Sequence, residues 1–526
     1  MGFVTSLLAA ADAPIETPDI DWTAIAPNLV LMLGGFLLLT LVSLFKKRLP
    51  KWFFATWTIV VALGAIAAVV PLWRRVMDSG PETAMGGAVG LDGFSLAITA
   101  NVCIAVIFGA LLLKGYLERE QLDGPEWYVL LMLSASGAVT MASADDLIVL
   151  FVGLEIMSVA VYVLAAMHSR RVSSQEAGLK YFVLGAFASA FLLYGIALTY
   201  GATGSTNLAK IQTYLSANVI TSNGLLLGGI AFMLVGFGFK IAAAPFHFWT
   251  PDVYQGSPSP VTAFMATAVK AAAFAALIRV FVVALGPTQV GEWRPMVYAL
   301  TVLTLIVGSL FAISQSNVKR MLAYSSINHA GFLLLGVMAA SPEGNSATLF
   351  YLFAYTFMAA GSFAVTTVVG RTGDGHHSLE DYKGLSRVRP GLALVFAVLL
   401  LSQAGVPLTV GFLSKFYVIE AALQSDFTGA GLLCVIAMLT AVISAFMYLR
   451  IVASMYFADP VGAASGAAGA GASAGAGAGT SPIRIPFSAG LALGLAVAGV
   501  VVLGVIPGPL SDLVGDATAQ LVALAP

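Results

Sequence analysis

The chain has 526 residues, a formal net charge of −1 at pH 7 and a hydrophobic fraction of 59%. Only 10% of its residues are Asp, Glu, Lys or Arg, whereas about a quarter are charged in soluble domains, so the composition excludes an ordinary soluble fold and indicates a protein of the lipid bilayer. The near-zero charge gives no sign of a nucleic-acid partner, and the two cysteines, Cys103 and Cys434, are too few for an iron–sulfur cluster or a structural zinc site.

Apolar stretches long enough to cross the hydrocarbon core, about 20 residues each, recur along the whole chain. They lie at approximately 24–45, 52–73, 92–114, 127–143, 146–168, 176–201, 224–244, 260–285, 295–314, 320–340, 346–370, 391–424, 428–457 and 486–508. The twelfth stretch is too long for one span and contains Gly405 and Pro407, so we predict a broken helix there. The predicted fold class is an all-α polytopic membrane protein of about 14 transmembrane helices.

Basic residues are unevenly shared between the two sets of alternate connections. One set holds most of them, and the other holds only Arg74, Arg75, Lys210 and Arg294. Because cytoplasmic loops are enriched in Lys and Arg, this bias predicts that both termini lie on the outer side. With the Ala, Gly and Val bias of the chain, it favours a multi-pass protein of a bacterial plasma or inner membrane.

A Gly- and Ala-rich tract at 459–485 separates the last two predicted spans and is typical of a flexible linker. Residues 469–474 resemble a dinucleotide-binding fingerprint, but no strand precedes them and no helix follows. We therefore predict no NADH or flavin site in this chain.

Charged residues at membrane depth are the most informative feature, because each costs at least about 2.5 kcal/mol to insert. Glu155 lies near the middle of the fifth span without a partner within one helical turn. Lys240 closes an apolar run in the seventh span shortly before Pro245, and Lys415 follows Pro407 in the twelfth. A lysine beside a proline-disrupted helix thus occurs twice, and such a helix exposes polar backbone that is tolerated only beside a cavity.

Three further basic residues lie within predicted spans. Lys270 stands in the eighth span, and we expect it to have a functional role. Lys180 follows Glu176 by four residues, so a helical ion pair is an open alternative to such a role. Arg279 is near the end of a span, where we expect it to snorkel to the surface.

Lysines of this kind suit proton transfer. Complete burial lowers the pKa of a lysine by up to about 3–5 units, and a carboxylate at about 4 Å offsets about 3 of them. A lysine with a movable carboxylate partner therefore switches its charge near neutral pH. His247 and His329 titrate in the same range, although a packing role for either is equally open.

Five motifs of the chain are distinctive: residues 145–155, 176–189, 245–256, 317–326 and 379–385. They resemble those of the antiporter-like membrane subunits of respiratory complex I, an NADH–quinone oxidoreductase, and the resemblance covers roughly residues 90 to 455. The stretch 250–256, Thr-Pro-Asp-Val-Tyr-Gln-Gly, is typical of the N type, whereas the L and M types usually read Leu-Pro-Asp-Ala there.

The resemblance implies two inverted five-helix repeats, formed by helices 4–8 and 9–13, with broken helices 7 and 12. The corresponding division of the chain is 1–126 (flanking helices 1–3), 127–285 and 286–458 (the repeats), 459–485 (linker) and 486–526 (helix 14).

The resemblance also implies roles in proton translocation. Glu155 would pair with Lys240, and movement of that pair would change how tightly the lysine holds its proton. Lys270 would be the central relay and Lys415 the exit-side group.

Three more residues enter the same scheme. Lys180 would be a coupling residue, His329 would help to carry a path between the two later lysines, and His247 is a further candidate relay member.

The function implied is proton transport within the H⁺-translocating enzyme, a translocase, with no redox centre in this chain. NADH, FMN, iron–sulfur clusters and quinone would be bound elsewhere in the complex, and subunits K and M would be the lateral neighbours. Three alternatives stay open: a subunit of a multi-subunit cation/proton antiporter, a subunit of a related membrane hydrogenase, and a structural spacer. The N-type motif argues against the antiporter, as does the scarcity of intramembrane carboxylates beyond Glu155 and Glu420.

Overall fold

A computed structural model of the protein describes residues 20–45, 49–122, 124–218, 223–286, 288–460 and 483–523. Within these residues the fold is almost entirely α-helical, as predicted, and its only sheet is a short antiparallel hairpin. The elements are α1 Ala26–Leu44, α2 Lys51–Ser79, β1 Glu82–Ala84, β2 Val89–Leu91, α3 Gly93–Glu120, α4 Glu126–Ser143, α5 Leu147–Ala166, α6 Val172–Thr203, α7 Leu208–Ala217, α8 Gly224–Ile241, α9 Trp249–Gly256, α10 Ser259–Ala284, α11 Val290–Ile313, α12 Val318–Met338, α13 Pro342–Val369, α14 Leu385–Val388, α15 Pro390–Ala404, α16 Val410–Gln424, α17 Ala430–Phe457, α18 Phe487–Val505 and α19 Gly508–Ala523.

Twelve helices among the described residues are long and apolar enough to cross a membrane. The two other predicted spans coincide with α4 and with the pair α15 and α16. Helix α19 was not predicted, because it is amphipathic and carries Asp512 and Asp516. The predicted linker falls largely outside the described residues, which exclude 461–482.

The β-hairpin marks one face of the bundle, which we call the hairpin face. The side-chain amide of Asn207 donates to the carbonyl oxygens of Gly87 in the hairpin and Asp145 before α5. Helix α19 lies on the same face, since a Cβ atom added at Gly93 would stand 2.9 Å from the Cα atom of Ala517.

An internal repeat is visible in two isolated β-bridges. Asp146 pairs with Asn207, and Asn317 pairs with Ser378, at the same separation along the chain. Asp146 caps the start of α5 and Asn317 caps the start of α12 through side-chain oxygens. This register places Ser326 of α12 at the position of Glu155 in α5.

The two bridges lie at opposite faces. Arg171 stands beyond the end of α5 that is remote from the hairpin, and it forms an ion pair of 3.0 Å with Asp374. Asp374 belongs to the loop that leads to the second bridge. The bridge of the second half therefore lies opposite the hairpin face, as inverted repeats require.

Both predicted helix breaks are present. Helix α8 ends at Ala242, whose φ of 61° is left-handed, and the chain becomes helical again at α9. Helix α15 ends at Gly405, whose φ of 94° suits only glycine, and α16 begins at Val410. Each break leaves helix-end carbonyl groups inside the protein.

Helix α10 is irregular where its basic residues lie. Two π-helical segments, Met265–Val269 and Arg279–Ala284, interrupt its α-helical course. Lys270 directly follows the first segment and Arg279 begins the second. Such π segments often mark functional positions.

Helices α4 and α5 cross in close contact, which fixes the position of Glu155. A Cβ atom at Gly137 would stand 2.4 Å from the Met157 nitrogen, and one at Gly153 would stand 2.6 Å from the Met141 nitrogen. Only glycine allows this approach, and Glu155 follows Gly153 by two residues.

Candidate functional site

Three predicted lysines are buried in the helical core. Lys240, Lys270 and Lys415 are 3%, 2% and 7% exposed. Among the described residues, no carboxylate stands within 4 Å of any of their ammonium groups, although ten other lysine and arginine residues there form such pairs. Neutral groups hold all three lysines instead.

Lys240, at the end of α8, is held by aromatic side chains. Its ammonium group donates to the Tyr162 hydroxyl at 3.2 Å. It also lies 5.1 Å from the ring centroid of Tyr162 and 5.4 Å from that of Tyr181, close enough for cation–π attraction.

Glu155 stands two helical turns before Tyr162 on α5, so the two side chains share one face of that helix. The glutamate is half-buried, and its Oε1 atom is buried without a hydrogen-bond partner among the described residues. The expected direct contact between Glu155 and Lys240 is not present in this structure, and the hydrogen bond of Lys240 goes to the Tyr162 hydroxyl instead.

Lys270 contacts the second repeat. Its ammonium group donates to the backbone oxygen of Ser326 at 2.6 Å and to the hydroxyl of the same residue at 2.5 Å. The ring centroid of Tyr355 lies 5.3 Å away. Since Ser326 corresponds to Glu155 in the repeat register, a neutral hydroxyl replaces the carboxylate in the second half.

Lys415, in α16, is held by the end of the preceding helix. Its ammonium group donates to the backbone oxygens of Gln403 and Ala404, each at 2.9 Å. These carbonyls close α15, where the helix dipole favours a cation. The ring centroid of Phe332 lies 5.0 Å from the ammonium nitrogen.

His329 lies between the last two lysines in a buried polar network. Its Nδ1 atom is 2.7 Å from the Tyr351 hydroxyl and its Nε2 atom is 3.2 Å from the Tyr448 hydroxyl. Tyr448 is also hydrogen-bonded to Ser325, which donates to the side-chain oxygen of Gln403 at 3.2 Å. The network therefore includes Gln403, the residue whose backbone oxygen binds Lys415.

His247 stands apart from these groups. It lies in the break between α8 and α9, is buried, and its Nδ1 atom has no hydrogen-bond partner among the described residues. Its ring packs against Phe248 at 4.9 Å between centroids. The structure brings it into no hydrogen bond with a predicted lysine.

Lys180 is partly exposed on α6. It forms ion pairs with Glu176 at 2.8 Å, the predicted helical pair, and with Asp252 at 3.0 Å. Asp252 also pairs with Arg320 at 2.6 Å. Partial burial raises the pKa of Asp252, but its hydrogen bonds with Arg320 and Lys180 outweigh burial and hold that pKa below its ordinary value.

The expectation for Arg279 is wrong. The side chain is 1% exposed and does not reach the surface. It forms an ion pair with Asp92, at the start of α3, and donates to the backbone oxygen of Ala142. Close by, burial raises the pKa of Asp145 to about 6, so this end of the bundle holds a buried charge cluster that the sequence did not reveal.

A second buried cluster joins the two repeats at the face opposite the hairpin. Asp374 accepts hydrogen bonds from Ser259 and His377 at 2.9 Å and pairs with Arg171 at 3.0 Å and Lys319 at 3.6 Å. Burial raises the pKa of Asp374, but Lys319, His377 and Arg171 outweigh burial and hold that pKa well below its ordinary value.

Metal-ligand geometry does not occur in the described part of the chain. No group of three or more His, Cys, Asp or Glu side chains there is arranged to hold a metal ion. The described core instead holds buried titratable side chains, each in contact with hydroxyl, aromatic or carbonyl groups.

Residues 144–444 match the family model described as "NADH:quinone oxidoreductase/Mrp antiporter, TM". The chain belongs to this family. A relative from Trichlorobacter lovleyi, named NADH-quinone oxidoreductase subunit N, is 42% identical over 83% of this chain and 88% of its own length. One of the same name from Chloroflexus aggregans is 41% identical over 85% and 90%.

The fold is also similar to a solved structure. A chain of respiratory complex I from Thermus thermophilus superposes with a TM-score of 0.74 and 34% identity. The match covers 92% of this chain and 98% of that one. All of the buried lysines discussed above lie within the residues matched by the family model.

The sequence identifies the lysines and His329 but not the residues bound to them. Tyr162, Ser326, Gln403 and Tyr448 are ordinary residues of apolar helices, and no local pattern distinguishes them. The one pointer to Ser326 is the equal spacing of the helix caps Asp146 and Asn317 from their bridge partners. These bridges, and with them the register of the repeat, are visible only in the structure.

Proposed function

We propose that this chain is an N-type antiporter-like subunit of the membrane arm of a proton-pumping NADH–quinone oxidoreductase. It transports protons while other subunits oxidise NADH and reduce quinone. The observation that carries this proposal is the burial of three lysines, held only by neutral groups, on both sides of the junction between the repeats. The names of the relatives and the resemblance to complex I support the redox partner.

The arrangement supports proton transfer for a physical reason. Burial disfavours a charged ammonium group when no carboxylate is at hand. Glu155 is half-buried and has an unpaired carboxylate oxygen. Its approach to Lys240 would stabilise the charge, and its withdrawal would release a proton towards Lys270 and then Lys415, with His329 between them.

The wider assignment follows from the same proposal. The chain acts as part of a translocase, and NADH, FMN, iron–sulfur clusters and quinone bind in other subunits. It lies in a bacterial plasma or inner membrane with both termini outside and subunits K and M as neighbours. Its parts are the flanking helices 1–126, the repeats 127–285 and 286–458, the linker 459–485 and the C-terminal part 486–526, which holds α18 and α19.

The test is proton pumping by the assembled complex in proteoliposomes, measured per NADH oxidised. Lys240→Ala and Lys270→Ala should each abolish most of the pumping, and Lys270→Arg should restore little because its charge is permanent. Lys210→Ala, an exposed lysine of α7, is the matched control and should leave pumping unchanged. Intact pumping in both Lys240→Ala and Lys270→Ala would mean that the chain has only a structural role in the complex.

A second measurement separates the antiporter alternative. The purified chain alone, reconstituted in vesicles, should show no proton flux driven by a sodium or potassium gradient. Clear cation-dependent flux that disappears in Lys240→Ala would assign the chain to cation exchange instead.

A further inference from the structure

Five buried side chains form one unbranched hydrogen-bonded chain through the second repeat. It runs from Tyr351 to His329, then to Tyr448, Ser325 and Gln403. Each of these residues is at most 2% exposed. Gln403 also donates from its Nε2 atom to the hydroxyl of Ser362 at 2.6 Å.

The direction of each hydrogen bond follows from the number of hydrogens available. Ser325 has one hydroxyl hydrogen and gives it to the Gln403 side-chain oxygen. Ser325 must therefore accept from Tyr448, whose own hydrogen is then used. Tyr448 in turn can only accept from His329.

His329 therefore carries its proton on Nε2 in this arrangement. Its Nδ1 atom is left as an acceptor and receives the hydroxyl hydrogen of Tyr351. A neutral imidazole has one donor and one acceptor nitrogen, so the neutral ring satisfies the whole chain without an unpaired atom.

Rotation of the Gln403 side-chain amide by half a turn reverses every bond. The amide nitrogen then donates to Ser325, Ser325 donates to Tyr448, and Tyr448 donates to Nε2 of His329. The ring proton must in that case be on Nδ1, where it is donated to Tyr351. Ser362 has a hydroxyl that can accept from or donate to the amide, so it satisfies either orientation.

We propose that the side-chain amide of Gln403 sets which ring nitrogen of His329 carries the proton. Gln403 is then a positioning residue that acts through two hydroxyl groups. It stands at the break between α15 and α16, and its backbone oxygen binds Lys415. A change at this break, such as loss of the proton from Lys415, is thereby linked to the direction in which His329 can pass a proton. That last consequence rests on the proposed function, whereas the ring tautomer does not.

The tautomer is measurable by ¹⁵N NMR on the full chain in lipid nanodiscs, labelled only at its five histidines. The His329→Gln variant identifies the signals of that ring. The wild type should show a neutral ring protonated mainly at one nitrogen, Nε2 in the arrangement described. Gln403→Leu should convert this to a mixture with at least about a tenth of the other tautomer.

Tyr448→Phe breaks the same chain at another point and should give the same mixture, which covers the case in which Gln403→Leu does not fold. Gln403→Glu, with an acceptor in place of the amide, should keep the proton on Nε2. Ser444→Ala is the control, since Ser444 lies one turn before Tyr448, is buried, and its hydroxyl has no partner in the described structure. An unchanged tautomer in Gln403→Leu and Tyr448→Phe would overturn the proposal.

Pumping by the assembled complex completes the test. Gln403→Leu should lower the protons pumped per NADH, while Ser444→Ala should not. If Lys240→Ala and Lys270→Ala both pump normally, the proposed function fails even if the tautomer shifts as described. If Lys270→Ala does not pump but Gln403→Leu leaves the tautomer unchanged, only the role of Gln403 fails.

Discussion

Ser326 of α12 occupies in the second repeat the position that Glu155 of α5 occupies in the first, and its hydroxyl binds the ammonium group of Lys270 at 2.5 Å. The two repeats therefore place different groups at this position. The first repeat has the carboxylate of Glu155 there, whereas the second has the neutral hydroxyl and backbone oxygen of Ser326, which bind Lys270 of the first repeat. Lys270 consequently loses its proton more easily than a lysine that is paired with an acid.

Ser326→Glu should trap the proton on Lys270. A carboxylate at about 4 Å in surroundings of effective dielectric about 20 contributes about 4 kcal/mol, or about a thousandfold in proton affinity. Pumping at pH 7 by the assembled complex should fall by at least about tenfold. Ser326→Ala keeps the backbone oxygen that also binds Lys270 and should lose less than about threefold. Equal rates in the two variants would show that the residue at this position does not control the lysine.

Tyr162→Phe should slow pumping by about fivefold. The change removes the hydroxyl that binds Lys240 but keeps the ring, and one such hydrogen bond contributes about 1 kcal/mol. Tyr162→Leu, which also removes the cation–π contact, should slow it further. The matched control is Tyr200→Phe on α6, whose ring is 54% exposed. A loss in the control equal to that in Tyr162→Phe would point to assembly rather than to Lys240.

Glu155→Ala should depress coupled turnover, and Glu155→Asp should retain part of it. The reason is that Glu155 lacks a hydrogen-bond partner at Oε1 and is the carboxylate on the same face of α5 as Tyr162. Turnover is measured as NADH–quinone reductase activity with and without an uncoupler. Unimpaired coupled activity in Glu155→Ala would show that Glu155 is not needed for proton transfer.

The sequence predicted the features that depend on local chemistry. Pro245 and the pair Gly405 and Pro407 indicated both helix breaks, and the apolar runs located the spans. Contacts between helices could not be predicted from the sequence, because they depend on how each helix is rotated about its axis. Arg279 was expected to snorkel since it lies near a span end, but its partner Asp92 is 187 residues away in sequence.

The partners of the lysines were hidden for the same reason. Tyr162 and Ser326 carry no charge and occur in apolar helices, so no local pattern separates them from packing residues. Helix α19 was missed because a short amphipathic segment lacks the continuous apolar run that marks a span.

Asp374→Asn should destabilise the protein in a pH-dependent way. The change leaves the buried Lys319 and the half-buried Arg171 without their carboxylate, which costs about 3–5 kcal/mol. The folded-state pKa of Asp374 is well below its ordinary value, so its contribution is present above about pH 4, the ordinary value, and is lost as pH falls towards the folded pKa. The thermal unfolding midpoint in detergent should therefore differ between wild type and variant at pH 5–8, and the difference should shrink progressively as pH falls below about 4.

The control for Asp374 is Asp426→Asn. Asp426 also pairs with an arginine, Arg294, at 3.0 Å, but its side chain is 85% exposed. Its loss should change the unfolding midpoint less at any pH, since this carboxylate lies in solvent and Arg294, whose side chain is 10% exposed, keeps its hydrogen bond to the backbone oxygen of Ala339. A similar midpoint shift in both variants would contradict the argument from burial.

Removing both members of the Arg279 and Asp92 pair should cost less than removing either one. Both side chains are at most 1% exposed. Arg279→Met or Asp92→Leu alone therefore leaves a buried charge unpaired and should lower the free energy of unfolding by about 3–5 kcal/mol. The double variant Arg279→Met with Asp92→Leu leaves no buried charge unpaired and should recover most of that loss. The measurement is a double-mutant cycle of unfolding in detergent, combined with the yield of assembled complex. Additive losses in the double variant would show that the two side chains act separately and that the contact between α3 and α10 does not depend on their pairing.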